Sequence, residues 1–407
     1  MTRPTRRAGD EPPIGRRVAE LRVSRGMSQQ VFADRIGRSK SWVDKVERGV
    51  RTLDRFSVIE TVAAALGVAP AVLLGGRAQR GPAAGTDTGS AVERVREALA
   101  RYDVPRIGTD GQPASSPRQR ADQVGYAWTA YRNGHHAQVL RMLPDLLADA
   151  RAAGDASAAD LPVRVYRLAA QVLVKLGKAD LAWLAADRAM GAAADDPRLA
   201  GLAAVSVAQA LRALRQGKLA TGAAAAAVRR LDLVRSHVFL PEEPALTGAL
   251  LSEAALAAAS CGAVAAAVEF TERAAQLAAT HGERQHDDHD GIGFGPTTVE
   301  LTRALTAMRL GDHHRAVAAH RRATGDDAWR LLPAEHRAAH LVDITRAHLD
   351  LGDHHAAGRA LVTADGIAPA ETRLRPAAHA ALTAVLRAGP TAADVARLAA
   401  TIGLTRR

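Results

Sequence analysis

The chain has 407 residues, one cysteine and a formal net charge of +11, a length that accommodates two or more domains, each with its own core. The lone Cys261 excludes an internal disulfide and a thiolate metal cluster, which fits a reducing cytoplasm. No run of about 18 strongly apolar residues occurs, so no membrane span is expected, and "MTRPTRRAGDEPP" at the start lacks the apolar segment of a secretory signal.

The charge is concentrated at one end. Residues 1–80 hold sixteen basic and eight acidic side chains, so +8 of the +11 lies there. A basic excess packed into one small domain is the electrostatic footprint of a nucleic-acid binder. Residues 1–10 read as a flexible basic arm and 11–76 as one domain. Five short helical patterns lie between Ile14 and Gly75. The first sets Ile14, Val18 and Leu21 on one face. A later one sets Phe56, Ile59, Val62 and Leu66, with Asp54 as its cap and Gly67 as its stop, and a last one begins near Pro70.

Between them runs "MSQQVFADRIGRSKSWVDKVERG", Met27 to Gly49. Its apolar residues pair up across two short helices: Phe32 and Ile36 four apart, Val43 and Val46 three apart. Ala33 falls where the helices cross, Gly37 at a turn suited to positive φ, and Ser39 at the cap of the second helix. An ordinary helical hairpin explains these inner positions but not the basic outer ones.

Residues 77–119 read as a linker, with "GGRAQRGPAAGTDTG" and "PRIGTDGQPASSPRQ" flanking a short helix near 91–102. From residue 120 to 407 nearly everything has a helical period, and no strand is expected. Turn glycines at Gly134, Gly177, Gly217, Gly262, Gly311 and Gly352 separate paired helical segments. Seven residues before them stand Ala127, Ala170, Ala210, Ala255, Ala304 and Thr345. Five after stand Val139, Ala182, Gly222, Ala267, Ala316 and Ala357, and twelve after stand Leu146, Ala189, Arg229, Ala274, Ala323 and Ala364. Small residues at fixed offsets let antiparallel helices approach closely and stack into a solenoid. The fold class expected is all-α.

The polar segment "HGERQHDDHD" (281–290) offers N and O ligands for a divalent metal, but its place between two repeat units also suits a plain polar loop. His336 and His340 lie four apart on a helix without the glutamate of a metalloprotease motif, and are read as solvated. The pairs at 135–136, 313–314 and 354–355 are read as turn decoration. There is no G-x-x-x-x-G-K-[ST] loop and no Gly-x-Ser-x-Gly segment. Neither a catalytic activity nor a cofactor is expected.

The repeat pattern, clearest in "LGDHHRAVAAHRRA" (310–323), resembles the tetratricopeptide repeat. Its glycine spacings of 43, 40, 45, 49 and 41 residues exceed that family's unit of about 34, which implies extended helices or longer connections. Segment 14–75, with "LRVSRGMSQ" and "KVERG" as framing sequences, resembles the lambda-repressor type of helix–turn–helix domain, also called the Cro/repressor or XRE type, with five helices. That resemblance implies that Gln29 and Arg48 hold phosphate, and that Lys40, Ser41 and Lys45 face base edges in the major groove. It also implies that Arg22 pairs with Glu47. Arg38 stands where the family often has an apolar residue, its stem covering core and its head reaching phosphate. Trp42 either packs against sugar and a thymine methyl or folds back onto the domain, and Arg51 completes the DNA-facing set.

The whole chain resembles a set of actinobacterial transcriptional regulators, with "SWVDKVERGVRTLDRFSV" and "GFGPTTV" (293–299) as shared segments. In the latter, Thr297 or Thr298 serves to cap the next helix. The resemblance implies a cytoplasmic regulator that binds an operator in double-stranded DNA as a homodimer, with a peptide or small-molecule signal held by the solenoid. The alternatives are a scaffold whose head binds protein, and a metal-responsive regulator using residues 281–290.

Overall fold

The computed structural model describes residues 14–51, 53, 56–66, 73, 84–101, 117–152, 160–235, 243–281 and 292–404. Among them the chain is all-α, with twenty-one helices. Contacts divide it into two units, Met1–Asp87 and Thr88–Arg407.

The first unit contains α1 (Ile14–Ser24), α2 (Gln29–Arg35), α3 (Lys40–Glu47) and α4 (Phe56–Ala65). Ser28 and Ser39 cap α2 and α3, each hydroxyl accepting the N–H three residues on, at 3.2 Å. Gly37 makes the turn between them at φ +63°, where a side chain would be strained. Val18, Phe32, Ala33, Ile36, Val43, Val46, Leu53, Ile59, Val62, Ala63, Leu66 and Leu73 form one buried core. Gly15 in α1 lets that helix touch the end of α3: a Cβ there would sit 2.0 Å from the carbonyl oxygen of Val46. Asp54, Gly67, Pro70, the side chain of Phe56 and the basic arm 1–10 lie outside the described residues.

The second unit begins within α5 (Ala84–Leu99), which is longer and earlier than the helix expected near 91–102, and then repeats as hairpins. These are α6 (Pro117–Arg132) with α7 (His136–Ala152), α8 (Asp160–Lys175) with α9 (Ala179–Ala192), and α10 (Pro197–Ala213) with α11 (Gly217–Arg235). Next come α12 (Glu243–Ser260) with α13 (Val264–His281), and α14 (Pro296–Arg309) with α15 (His313–Gly325). A short α16 (Ala328–Leu331) precedes the pair α17 (Ala334–Asp350) and α18 (His354–Ile367). The unit ends with α19 (Pro369–Arg373), α20 (Pro376–Arg387) and α21 (Ala393–Ile402).

Each of the six turns is a six-to-one backbone bond closing over a left-handed residue: His135 to Ala130, Lys178 to Leu173, Gln216 to Leu211, Ala263 to Ala258, Asp312 to Ala307 and Asp353 to His348. The left-handed residue is glycine in five turns and Arg215 (φ +61°) in the third. Gly217, expected as that turn, is instead the first residue of α11. It is small for another reason, since a Cβ there would lie 2.7 Å from Ser260 Oγ. Reframed on Arg215, the third unit puts Ala208, Ala220 and Ala227 at the three small offsets, in place of Ala210, Gly222 and Arg229. The position five after the turn, occupied by Val139, Ala182, Ala220, Ala267, Ala316 and Ala357, is wholly buried in all six units. That is where the two helices of a hairpin cross.

The first helices of successive hairpins stack side by side in the order α6, α8, α10, α12, α14, α17, and α17 then touches α6 again. The six form a closed inner ring. Glycine helps the ends meet, because a Cβ on Gly134 would be 2.6 Å from Cβ of Ala368, at the start of α19. No helix among the described residues is long and apolar enough to cross a membrane.

Candidate nucleic-acid interface

On α3 the inner and outer faces separate cleanly. Val43 and Val46 are each 1% exposed, while Lys40, Ser41, Lys45 and Arg48 are exposed. The helix is locked from behind by an ion pair: Arg22 Nε and Nη2 donate to the two carboxylate oxygens of Glu47 at 2.6 and 2.9 Å, with side chains 11% and 6% exposed. Arg22 Nη1 also donates to the carbonyl of Met27 at 2.7 Å. The Glu47 hydrogen bond, opposed by burial, raises the Arg22 pKa. This bidentate fork ties the end of α3 to α1 and to the chain entering α2.

Gln29 joins the same cluster, its amide N–H donating to Glu47 Oε2 at 2.8 Å. That contact orients the side chain at the start of α2. Arg48 is paired with Asp44 one turn back. Trp42 folds back onto the domain: it is half-buried against the core and walls a small hollow with Ile36, Arg38, Val58, Thr61 and Val62. The guanidinium carbons of Arg38 and Arg51 lie 5.6 and 6.0 Å from its ring centre, so one indole positions two cations. That grouping, and the third contact on Glu47, cannot be read from helical offsets.

In the second unit the inner ring lines an open cavity of about 310 Å³. Its wall carries charges that sequence periodicity did not single out. Lys175 on α8 pairs with Glu335 on α17 and, at 3.3 Å, with Glu371 on α19. Arg375 donates to Glu371 at 2.8 Å and to Asp343 at 2.6 Å. Gln209 and Arg212 on α10 each donate to one carboxylate oxygen of Glu253 on α12, at 2.8 and 2.9 Å. Burial opposes ionisation of Glu371, but Lys175, Arg375 and His136 hold its carboxyl well below the usual carboxylate range. Burial likewise opposes Asp343, and Arg375, Lys175 and Arg309 reverse it.

Two histidine expectations are corrected. His136, read as turn decoration, is fully buried, with Nε2 2.6 Å from Glu371 Oε1. His340, read as solvated, is 2% exposed; its Nε2 lies 3.1 Å from Nδ1 of His320, with Trp329 against its edge. In both cases the partner comes from another helix, which converts a surface residue type into a core one. By contrast, His354 and His355 are exposed. Thr298 caps α14, its hydroxyl accepting the N–H of Gly295 at 2.9 Å.

No group of three or more His, Cys, Asp or Glu side chains among the described residues is arranged to hold a metal. Residues 282–290 of the candidate metal stretch lie outside them.

A sequence-family profile described as "Helix-turn-helix domain" matches residues 13–74, the first unit just described. No curated protein matches the chain. Among solved structures, PlcR of Bacillus thuringiensis in complex with the peptide PapR7 and DNA aligns at a TM-score of 0.35 and 11% identity, over 88% of this chain and 95% of that one. The chain is a helix–turn–helix domain followed by a ring of helical hairpins.

Proposed function

We propose that the protein is a sequence-specific DNA-binding transcriptional regulator of the XRE type, acting in the cytoplasm as a homodimer, whose helical ring holds a peptide or small-molecule signal. The observation that carries this reading is the split of α3 into a buried seam and an exposed row of Lys40, Ser41 and Lys45. A major groove admits an α-helix, and its base edges present a distinguishable donor and acceptor pattern. Lys40, Ser41 and Lys45 read base edges; Gln29, Arg38, Arg48 and Arg51 hold phosphate and set register; Trp42 positions two of those arginines.

One head of this size covers limited DNA surface, so two heads on a near-palindromic site supply the affinity a regulator needs. A ligand in the ring regulates only if it favours one arrangement of the dimer over another. The test is selection of bound fragments from genomic DNA by the full chain. Recovery of one near-palindromic motif, lost in a K40A/S41A/K45A variant with unchanged helicity, supports the reading. Recovery of no motif, or the same motif with the variant, removes it in favour of a scaffold with a protein-binding head.

A further inference from the structure

The central cavity of the second unit is walled by the first helices of all six hairpins. At about 310 Å³ it lies at the lower end of the range for small-molecule sites, about 300–1,000 Å³. Because α17 returns to α6, helices surround it, and it stays open to solvent. Its lining is mixed: Leu256, Leu301 and Leu305 on one part, and the paired charges of Lys175, Arg212, Glu253, Glu335, Asp343 and Arg375 on the rest.

Most charges in this wall alternate in sign and are matched. The exception is around Arg212. Its Nη2 reaches Glu253, but its buried Nε has no acceptor. Arg309, one helical turn beyond cavity-lining Leu305, feels it as a like charge: burial first, then Arg212, lowers the Arg309 pKa to about 10. A second acceptorless donor lies in the same wall. Trp128 is 1% exposed, and its indole N–H has no partner. These nitrogens, and Nδ1 of His340 in the same wall, are closed to solvent, so it is the charge of Arg212, with Arg309 beside it as a second cation, that draws an acceptor into the cavity.

We propose that the cavity binds a compact organic anion, a carboxylate on an apolar body, with the carboxylate at Arg212 and the body against Leu256, Leu301 and Leu305. This deepens the signal-binding part of the function proposed above and rests on it for its regulatory meaning, though not for the binding itself. The carboxylate comes either from a free acid or from the C-terminus of a very short peptide.

The test uses the full chain and named probes: 3-phenylpropionate, its neutral amide, and the dipeptide Ala-Phe with a free or amidated C-terminus. Titration calorimetry and thermal melting are the readouts. The expected result is that 3-phenylpropionate or free-acid Ala-Phe binds and raises the melting temperature, while the matching amide binds at least about tenfold more weakly, the scale of one hydrogen bond to a charged group. Binding by only one of the two acids identifies the source. R212Q removes binding. Because R212Q leaves Glu253 uncompensated, the paired variant R212Q/E253Q keeps the site neutral and is expected to fold and to lose binding equally. L305W, which fills the cavity with both charges intact, abolishes it as well.

Equal affinity for acid and amide, binding that survives R212Q/E253Q and L305W, or no binding of any probe at millimolar concentration each overturns the proposal. DNA selection on the same preparations separates the two readings. A protein that binds its motif but none of the probes refutes only the anion site, and one that binds the acid but no motif refutes only the regulator.

Discussion

His136 and Glu371 stand 235 positions apart in the chain, yet Nε2 of one lies 2.6 Å from Oε1 of the other, with both side chains fully buried. Glu371 also takes Lys175 and Arg375, so one carboxylate joins the beginning of the helical ring to its end. Desolvating a carboxylate is expensive unless several partners compensate it, and here three do.

Glu371→Gln therefore leaves Lys175 with Glu335 and Arg375 with Asp343 as their remaining counter-charges in a buried place. The expected cost is about 1.5–3 kcal/mol of unfolding free energy, the range for a hydrogen bond to a charged group, read by urea denaturation of the full chain. Glu20→Gln, at an exposed pair with Arg16, serves as the control and is expected to cost no more than about 1 kcal/mol. Equal effects of the two substitutions would show that the ring does not depend on its clasp.

Acid is expected to loosen the same unit in two stages. Burial, and then their charged neighbours, lower the pKa of His320 to about 4 and of His340 to about 3. Both lie below the unfolded value near 6.5, so the unfolded chain takes up protons first as pH falls. The stabilisation is complete above about pH 6.5 and declines as pH drops toward 4, at a slope approaching about 1.4 kcal/mol per pH unit for each ring. Glu371, depressed in turn, contributes fully above the ordinary carboxylate range and loses its share only below it. Stability of the H320Q/H340Q variant, measured by denaturation between pH 6.5 and 5, should fall less steeply than that of the parent; parallel curves would remove the histidine pair as the cause.

Much of this architecture was legible in the residues alone, because it rests on local regularities. Gly37, Ser39, Val43 and Val46 announce the helix–turn–helix through offsets within one or two turns of helix. The hairpins announce themselves through small residues at fixed distance from a turn. The same rule failed at Gly217, because a left-handed turn needs only one residue that tolerates positive φ. Arg215 supplies it there, while Gly217 is small to admit Ser260. What sequence could not show is the closure of the ring. No periodicity links His136 to Glu371 or Arg212 to Glu253, and a charged residue on the inner face of a first helix looks like any surface charge until the ring brings its partner. The cavity, assembled from six hairpins, is invisible for the same reason.

The pair behind α3 makes a separate prediction about the first unit. Arg22→Ala removes a fork that is nearly buried and strands Glu47 with only Gln29. The expected loss is about 3–5 kcal/mol, enough to unfold a domain of this size at moderate temperature, so DNA binding is expected to disappear through instability. The double variant R22M/E47L, apolar and of similar volume, is expected to recover most of the stability. A double variant as unstable as the single would assign the pair a role other than charge compensation.

Salt dependence distinguishes the two classes of contact proposed for the outer face. Each phosphate neutralised contributes a slope of roughly −0.9 to the logarithm of affinity against the logarithm of salt concentration. Arg51→Ala, which withdraws one of the cations set by Trp42, should weaken binding to all sequences alike and reduce the slope by about one. Lys45→Ala removes a contact proposed to face a base edge. It should cost about 1–3 kcal/mol on the preferred site, far less on altered sites, and relax selection at one position. Trp42→Ala links the two, since Arg38 and Arg51 both lean on that ring, and its removal should change the slope by more than Arg51→Ala alone. The measurement is fluorescence anisotropy on the selected operator and a scrambled duplex across a salt series. A uniform loss from Lys45→Ala with unchanged sequence preference would move that residue from reading bases to holding the backbone.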